Sequence, residues 1–152
     1  MNESDNSIIK LSSGATAWNP CMLGSHTIGD GTNIGALSHI GKNVIIGKNC
    51  RIQGSVYIAD GSEIGNDVFI GPNATITNDR HPPSRGDWSP VIVEDGVVIG
   101  ANATIVAGAT LRKDCVVGAG SVVISDIPKD EVWVGNPAKF LMSRIEYETR
   151  RS

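Results

Sequence analysis

Residues 34–76 read IGALSHIGKNVIIGKNCRIQGSVYIADGSEIGNDVFIGPNATI, with isoleucine at 34, 40, 46, 52, 58, 64, 70 and 76. A branched apolar residue every six positions fits neither an α-helix nor simple alternation. It is the signature of a coil built from hexads. The period extends back to Ile28 and Met22. It resumes downstream at Val93, Ile99, Ile105, Leu111, Val117 and Val123. Two further registers accompany it. Four residues after an anchor stands a mostly small residue, such as Thr32, Ser38, Cys50, Ala74, Ala103 or Cys115. Three after an anchor stands a turn former, such as Gly31, Asn43, Asn49, Asp67, Asn102 or Asp114, types that accept positive φ at low cost.

These registers predict an all-β parallel helix. Each hexad is one short strand and one corner, and three hexads close a triangular coil. Anchor and small residue point inward because strand side chains alternate. The repeats make roughly five coils, each rising about 4.8 Å, so the prism is roughly 25 Å long. The chain divides into an N-terminal segment (1–15), the β-helix (16–127) and a C-terminal cap (128–152). The cap's tail, AKFLMSRIEYETRRS, is expected to be a short helix with Phe140, Leu141 and Ile145 on one side, capping the open end of the prism or packing on a neighbour.

One interruption breaks the period. Between Ile76 and Val93, residues 77–92 (TNDRHPPSRGDWSPVI) leave the prism as a loop. Three prolines restrict it and Gly86 lets it bend, so it reads as a shaped lid. Long structureless insertions in compact folds are usually functional or disordered. This one concentrates Asn78, Asp79, Arg80, His81, Arg85 and Trp88.

The chain has 152 residues, consistent with one domain, and a net charge of −3, which argues against a nucleic-acid partner. It holds no unbroken apolar segment and no apolar signal core, so a soluble, cytoplasmic protein with no membrane partner is expected. Three cysteines make no disulfide framework, and free buried thiols suit a reducing compartment.

The stretch from Val93 to Phe140, VEDGVVIGANATIVAGATL…VVGAGSVVISDIP…VWVGNPAKF, closely resembles the hexapeptide acyltransferases. That resemblance implies a left-handed coil, where the usual crossover rule would favour the other hand. It also implies a homotrimer of parallel prisms with active sites in the clefts between subunits, and acetyl-CoA as the acyl donor, with no metal. The ending GNPAK, Gly135 to Lys139, recurs in the branch that modifies sugars. The segment TITNDRHPPS resembles the loop of nucleotide-linked 3-amino-sugar N-acyltransferases at Asn78, Asp79, Pro82 and Ser84. It departs at Pro83, where that branch often has arginine, and at His81, where it often has an aromatic residue. His81-Pro82 instead matches the catalytic pair of sugar O-acetyltransferases.

Acyl transfer from a thioester to an amine or hydroxyl needs a base, a group to orient it and a donor for the developing oxyanion. Imidazole suits the first role at neutral pH. His81 is therefore the expected base, with Asp79 or Asn78 to orient it or hold the acceptor. Gly100 or Ala101 would supply the backbone N–H. The resemblance adds Ala101 and Ala119 along the pantetheine arm and Lys139 at a CoA phosphate. Arg80, Arg85 and Trp88 are the remaining candidates for substrate contact. The expected reaction is transfer of an acetyl or short acyl group to the amine of a nucleotide-linked (UDP- or dTDP-) amino sugar in surface-polysaccharide synthesis. Sugar O-acetylation with His81 as base is the alternative. A γ-type carbonic anhydrase shares the prism but needs three histidines at one interface, two of them close in sequence; His26, His39 and His81 contain no such pair. A non-catalytic scaffold is the third class, disfavoured by the composition of the loop.

Overall fold

The computed structural model describes residues 7–25 and 27–151. Two-residue strands stack in three parallel ladders, one per side of a triangular prism. Face 1 runs through Asn33–Ile34, Arg51–Ile52, Phe69–Ile70, Val98–Ile99 and Val116–Val117. Face 2 runs through His39–Ile40, Tyr57–Ile58, Thr75–Ile76, Thr104–Ile105 and Val122–Val123. Face 3 runs through Ile45–Ile46, Glu63–Ile64, Ile92–Val93 and Thr110–Leu111. The coil is a left-handed parallel β-helix of about six turns, slightly longer than the five expected.

Every hexad anchor from Ile28 to Ile76 and from Val93 to Val123 is buried, as is every small-site residue from Thr32 to Ser121. The interior is one continuous column of stacked aliphatics. The corner position has positive φ throughout, at Asn43, Asn49, Asp67, Asn73, Asn102 and Asp114 among others. Leu37 and Ser55 hold the same place at φ 64° and 59°, without the side chains that favour it.

The register slips at the N-terminal end. Ala17 pairs with Ile34 and Leu23 with Ile40, whereas Ile28 pairs with Ile46. The first coil is thus one residue short between Leu23 and Ile28. Met22, expected inside, is 60% exposed, and Leu23 packs on the core in its place. A one-residue slip turns each side chain to the opposite face. In the N-terminal segment, Ile8–Lys10 pairs antiparallel with Thr16–Trp18. His26 lies outside the described residues.

The tail ends in the expected short helix, but its first part is strand. Glu131–Val134 continues face 1, and Lys139–Ser143 folds back on it as an antiparallel strand. Only Arg144–Thr149 is helical, and we call this helix α1. Ser143 caps it by accepting from the Glu146 N–H at 3.2 Å. Phe140, Leu141 and Ile145 stay exposed. Met142 is buried instead, joining Val116 and Val132, with Val98 and Tyr147 against them. Much of the apolar exterior of face 1 is thereby covered by the chain's own tail. Among the described residues, no helix is long and apolar enough to cross a membrane.

Candidate functional site

The insertion leaves from face 2 and returns on face 3, so it occupies the corner between them. Phe69 pairs with Val98, where an uninterrupted coil would offer Asp87. The stacking above and below continues undisturbed because the extra residues are all extruded at this corner.

Hydrogen bonds tie the loop along the corner. At its root, Thr77 Oγ1 donates to the Ile105 carbonyl (3.2 Å) and accepts from the Ala107 N–H (3.0 Å). The Asn78 amide donates to the Asp60 carbonyl at 3.2 Å, and the Asn78 carbonyl accepts from the Ser89 N–H at 2.7 Å. The Asp79 carboxylate accepts from the N–H groups of His81 (3.2 Å) and Ser84 (2.8 Å). Asp79 thus shapes the backbone that carries His81 and does not meet its ring. Arg80 donates to the carbonyls of Ala107 (3.0 Å) and Ile124 (3.1 Å), a strut across two coils. With Arg80 and Asn78 so engaged, His81, Arg85 and Trp88 are the candidate side chains left facing outward. Ser84 Oγ is buried with no hydrogen-bond partner among the described residues. A buried hydroxyl left unpaired costs about 1–3 kcal/mol.

The other expected residues gather at the corner between faces 1 and 2. Gly100, Ala101 and Ala119 stack there in successive coils, and a Cβ on Gly100 would lie 2.5 Å from the Ala119 nitrogen. The Gly135 N–H donates to Ser121 Oγ at 3.0 Å, which seats the GNPAK turn on the same column and places Lys139 at its end. At three positions on the other two corners the N–H is capped by the coil above it. Asp60 caps Lys42, Asn66 caps Lys48, and Asp95 caps Asn66, each at 2.7–2.8 Å. The residue stacked above Ala101 is Ala119, whose side chain accepts nothing. The N–H groups of Ala101 and Ala119 therefore have no acceptor among the described residues, whereas Gly100 N–H is spent on the Val117 carbonyl at 2.8 Å. Of the two expected backbone donors, Ala101 is the free one.

The cysteines lie apart from both corners' exposed groups. Burial pushes the Cys50 thiol up and Cys115 up to about 12, so neither is a thiolate nucleophile at neutral pH. His39 stacks on Tyr57 with ring centroids 4.8 Å apart, on face 2. Among the described residues, no three of His, Cys, Asp or Glu are grouped to hold a metal ion.

Sequence reasoning missed Thr77, Asp60 and Lys42. The signal was available in the coil length. Lys42, Asp60 and Asn78 are spaced by eighteen residues and stack in one column.

Residues 25–60 and 47–78 match the six-repeat hexapeptide family of bacterial transferases, and residues 90–125 match the hexapeptide repeat of succinyl-transferase. A hexapeptide-repeat-containing acetyltransferase of Vibrio cholerae is 30% identical over 84% of this chain and 69% of its own, with a TM-score of 0.64. The chain belongs to the hexapeptide-repeat transferases. The same Vibrio protein, solved with acetyl-CoA, is 35% identical over 70% of this chain and 63% of its own, with a TM-score of 0.60. A curated relative, the 2,3,4,5-tetrahydropyridine-2,6-dicarboxylate N-acetyltransferase of Clostridium perfringens, is 45% identical over 73 residues, 48% of this chain. This hexapeptide-repeat chain spans only 30% of that relative's length. The acetyltransferase domain of PglB from Neisseria gonorrhoeae shares the fold, at 20% identity over 85% of this chain and 58% of its own and a TM-score of 0.74.

Proposed function

We propose that this protein transfers an acetyl or short acyl group from CoA to the amine of a sugar, in the cytoplasm, as a homotrimer. The observation that carries the reading is the division of labour between two corners. One presents the free N–H groups of Ala101 and Ala119 above glycine steps, where a thioester's amide-rich arm can approach the backbone closely. The other presents an exposed imidazole, His81, on a loop tied down by hydrogen bonds. Face 2 separates these corners within one chain, so a complete site takes one corner from each of two neighbouring subunits.

In the proposed reaction the acceptor amine attacks the thioester carbonyl and the C–N bond forms. Ala101 N–H holds the developing oxyanion. His81 takes a proton from the attacking nitrogen. The C–S bond then breaks, and the proton passes from His81 to the departing CoA thiolate. Lys139 meets a CoA phosphate. Acceptance of a nucleotide-linked amino sugar is supported by the resemblance of Asn78, Asp79, Pro82 and Ser84 to the loop of that branch. Their roles are specific: Asn78 and Asp79 hold the loop, and Ser84 Oγ is free for the acceptor.

The test is steady-state release of CoA thiol with amino-sugar and hydroxyl-sugar acceptors. His81→Ala should lower kcat by about 10²–10⁴-fold with the assembly intact. Unchanged kcat would place the proton on the substrate–thiolate pair and remove His81 from the mechanism. A second reading, an amino dicarboxylate acceptor, is favoured by the 45% identity to the Clostridium enzyme. The same assay with tetrahydrodipicolinate decides between them.

A further inference from the structure

The tail lies against face 1 and leaves a cleft of about 510 Å³ between them, with Phe69 and Val98 on the prism side and Leu141, Tyr147, Arg150 and Arg151 on the tail side. Apart from the two arginines, its lining carries no charge. A second cleft, of about 420 Å³, shares Phe69, Val98, Tyr147 and Arg151 with the first and adds Arg51 and Asp67. Arg51 is in no ion pair among the described residues. Arg150 and Arg151 pair with Glu146 and Glu148, each arginine side chain 63% exposed. Exposed pairs of this kind are worth little and exchange partners readily. The same tail exposes Phe140, Leu141 and Ile145, the last at 78%. Charge is uneven as well. Residues 139–151 hold Lys139, Arg144, Arg150 and Arg151 against Glu146 and Glu148, so this end is positive on a chain whose net charge is −3.

We propose that this tail docks the protein on an anionic lipid surface. Such a surface offers hydrocarbon to Phe140, Leu141 and Ile145 and phosphates to Arg51, Arg150 and Arg151. The apolar cleft admits a lipid chain, and the arginines that line it and its neighbour take the headgroup phosphate through charge-assisted hydrogen bonds. Arginine suits the task because its planar fork meets two phosphate oxygens at once. Among the described residues no helix can cross a bilayer. Lying on one needs only an apolar patch flanked by cations. The acidic remainder of the chain is repelled by the same surface, so the tail turns toward it and the prism stands away. Docking is separate from the choice of acyl acceptor. It concerns where the reaction runs.

The test is co-sedimentation of the full chain with vesicles, made either of phosphatidylcholine alone or of an equimolar mixture of phosphatidylcholine and phosphatidylglycerol. The parent protein should bind the mixed vesicles about tenfold or more tightly than the neutral ones, and should be released as salt is raised. Leu141→Gln combined with Ile145→Gln should weaken binding to mixed vesicles about tenfold, through the lost apolar burial. Arg150→Gln combined with Arg151→Gln should weaken it about tenfold or more, and Arg150→Lys combined with Arg151→Lys should keep most of it. All these side chains are exposed, so the thermal midpoints of the variants should match the parent's. Equal binding of the parent to both kinds of vesicle overturns the proposal, as does equal binding of the parent and the glutamine variants to the mixed ones. Release of the parent from vesicles by saturating acetyl-CoA would assign the arginines to the acyl donor and overturns it too. A changed solution mass of the Leu141→Gln, Ile145→Gln variant would assign the apolar tail to a neighbouring copy, with the same consequence.

Discussion

At the scale of single residues, the corner position shows where the chain pays a conformational penalty. Leu37 adopts φ 64° with its side chain 68% exposed. A left-handed backbone is costly for a residue with no local polar group to compensate. Leu37→Asn should stabilise the protein by about 0.5–1 kcal/mol, read as a higher denaturant midpoint with unchanged m-value. A lower midpoint would mean that Leu37 is covered by a second copy. The small inward sites have the opposite tolerance. Ala103 is fully buried beneath the stacked isoleucines, and Ala103→Leu should cost roughly 1–3 kcal/mol by overpacking. Cys115 adds a pH dependence. Its thiol is raised from 9.0 to about 12 by burial, so the folded state holds that proton more tightly than the unfolded chain does. The stabilisation is complete below pH 9.0 and is lost as the pH rises toward 12. Alkylation of Cys115 at pH 8 should accordingly need global unfolding, as mass spectrometry of labelled peptides would read.

At the scale of elements, the loop and the tail solve different problems. The insertion holds its shape by engaging backbone with its polar side chains: Arg80 takes two carbonyls of the prism, Asn78 takes one, and Asp79 takes two N–H groups of the loop itself. Arg80→Met should raise the rate of proteolysis within residues 77–92 several-fold while hydrogen exchange in the three ladders stays slow. Equal protection would show that Thr77 and Asn78 suffice to hold the loop. The tail was expected to be helical because Phe140, Leu141 and Ile145 share one helical side. That pattern competes with a free sheet edge at Glu131–Val134, and the edge wins by pairing with Lys139–Ser143. The Ser143–Glu146 spacing is a helix-start signal that marks where strand gives way to α1. Reading that signal in the sequence would have placed the boundary correctly.

At the scale of the whole molecule, the corners decide the expected assembly. With the free N–H groups at one corner and His81 at another, the proposed site is composite. This predicts complementation. Ala119→Trp, which blocks the donor corner, and His81→Ala should each be nearly inactive alone. Unfolded together and refolded at equal ratio, they should recover about a quarter of the parent activity, since random mixing pairs two intact halves at that frequency. No recovery in mixed assemblies of confirmed composition would mean that each chain holds a site of its own.

The period of six by itself determined the architecture, the inward column from Ile28 to Val123 and the place where the coil is interrupted, because a stacked coil repeats one short-range pattern that a linear reading can count. It also marked His81 and Trp88 as loop residues. It misplaced Met22, since a single-residue deletion between Leu23 and Ile28 leaves a hexad spacing intact by eye but turns the strand over. Only the tertiary structure decided that Arg80, Asn78 and Asp79 bond to backbone groups, that Ala101 and Ala119 keep N–H groups without an acceptor among the described residues, and that Lys42 and Asp60 line one cleft with Trp88. Hydrogen-bond partners eighteen to forty-four residues apart are set by which corner and which coil each group occupies, and a side chain's direction follows from the neighbour it finds there.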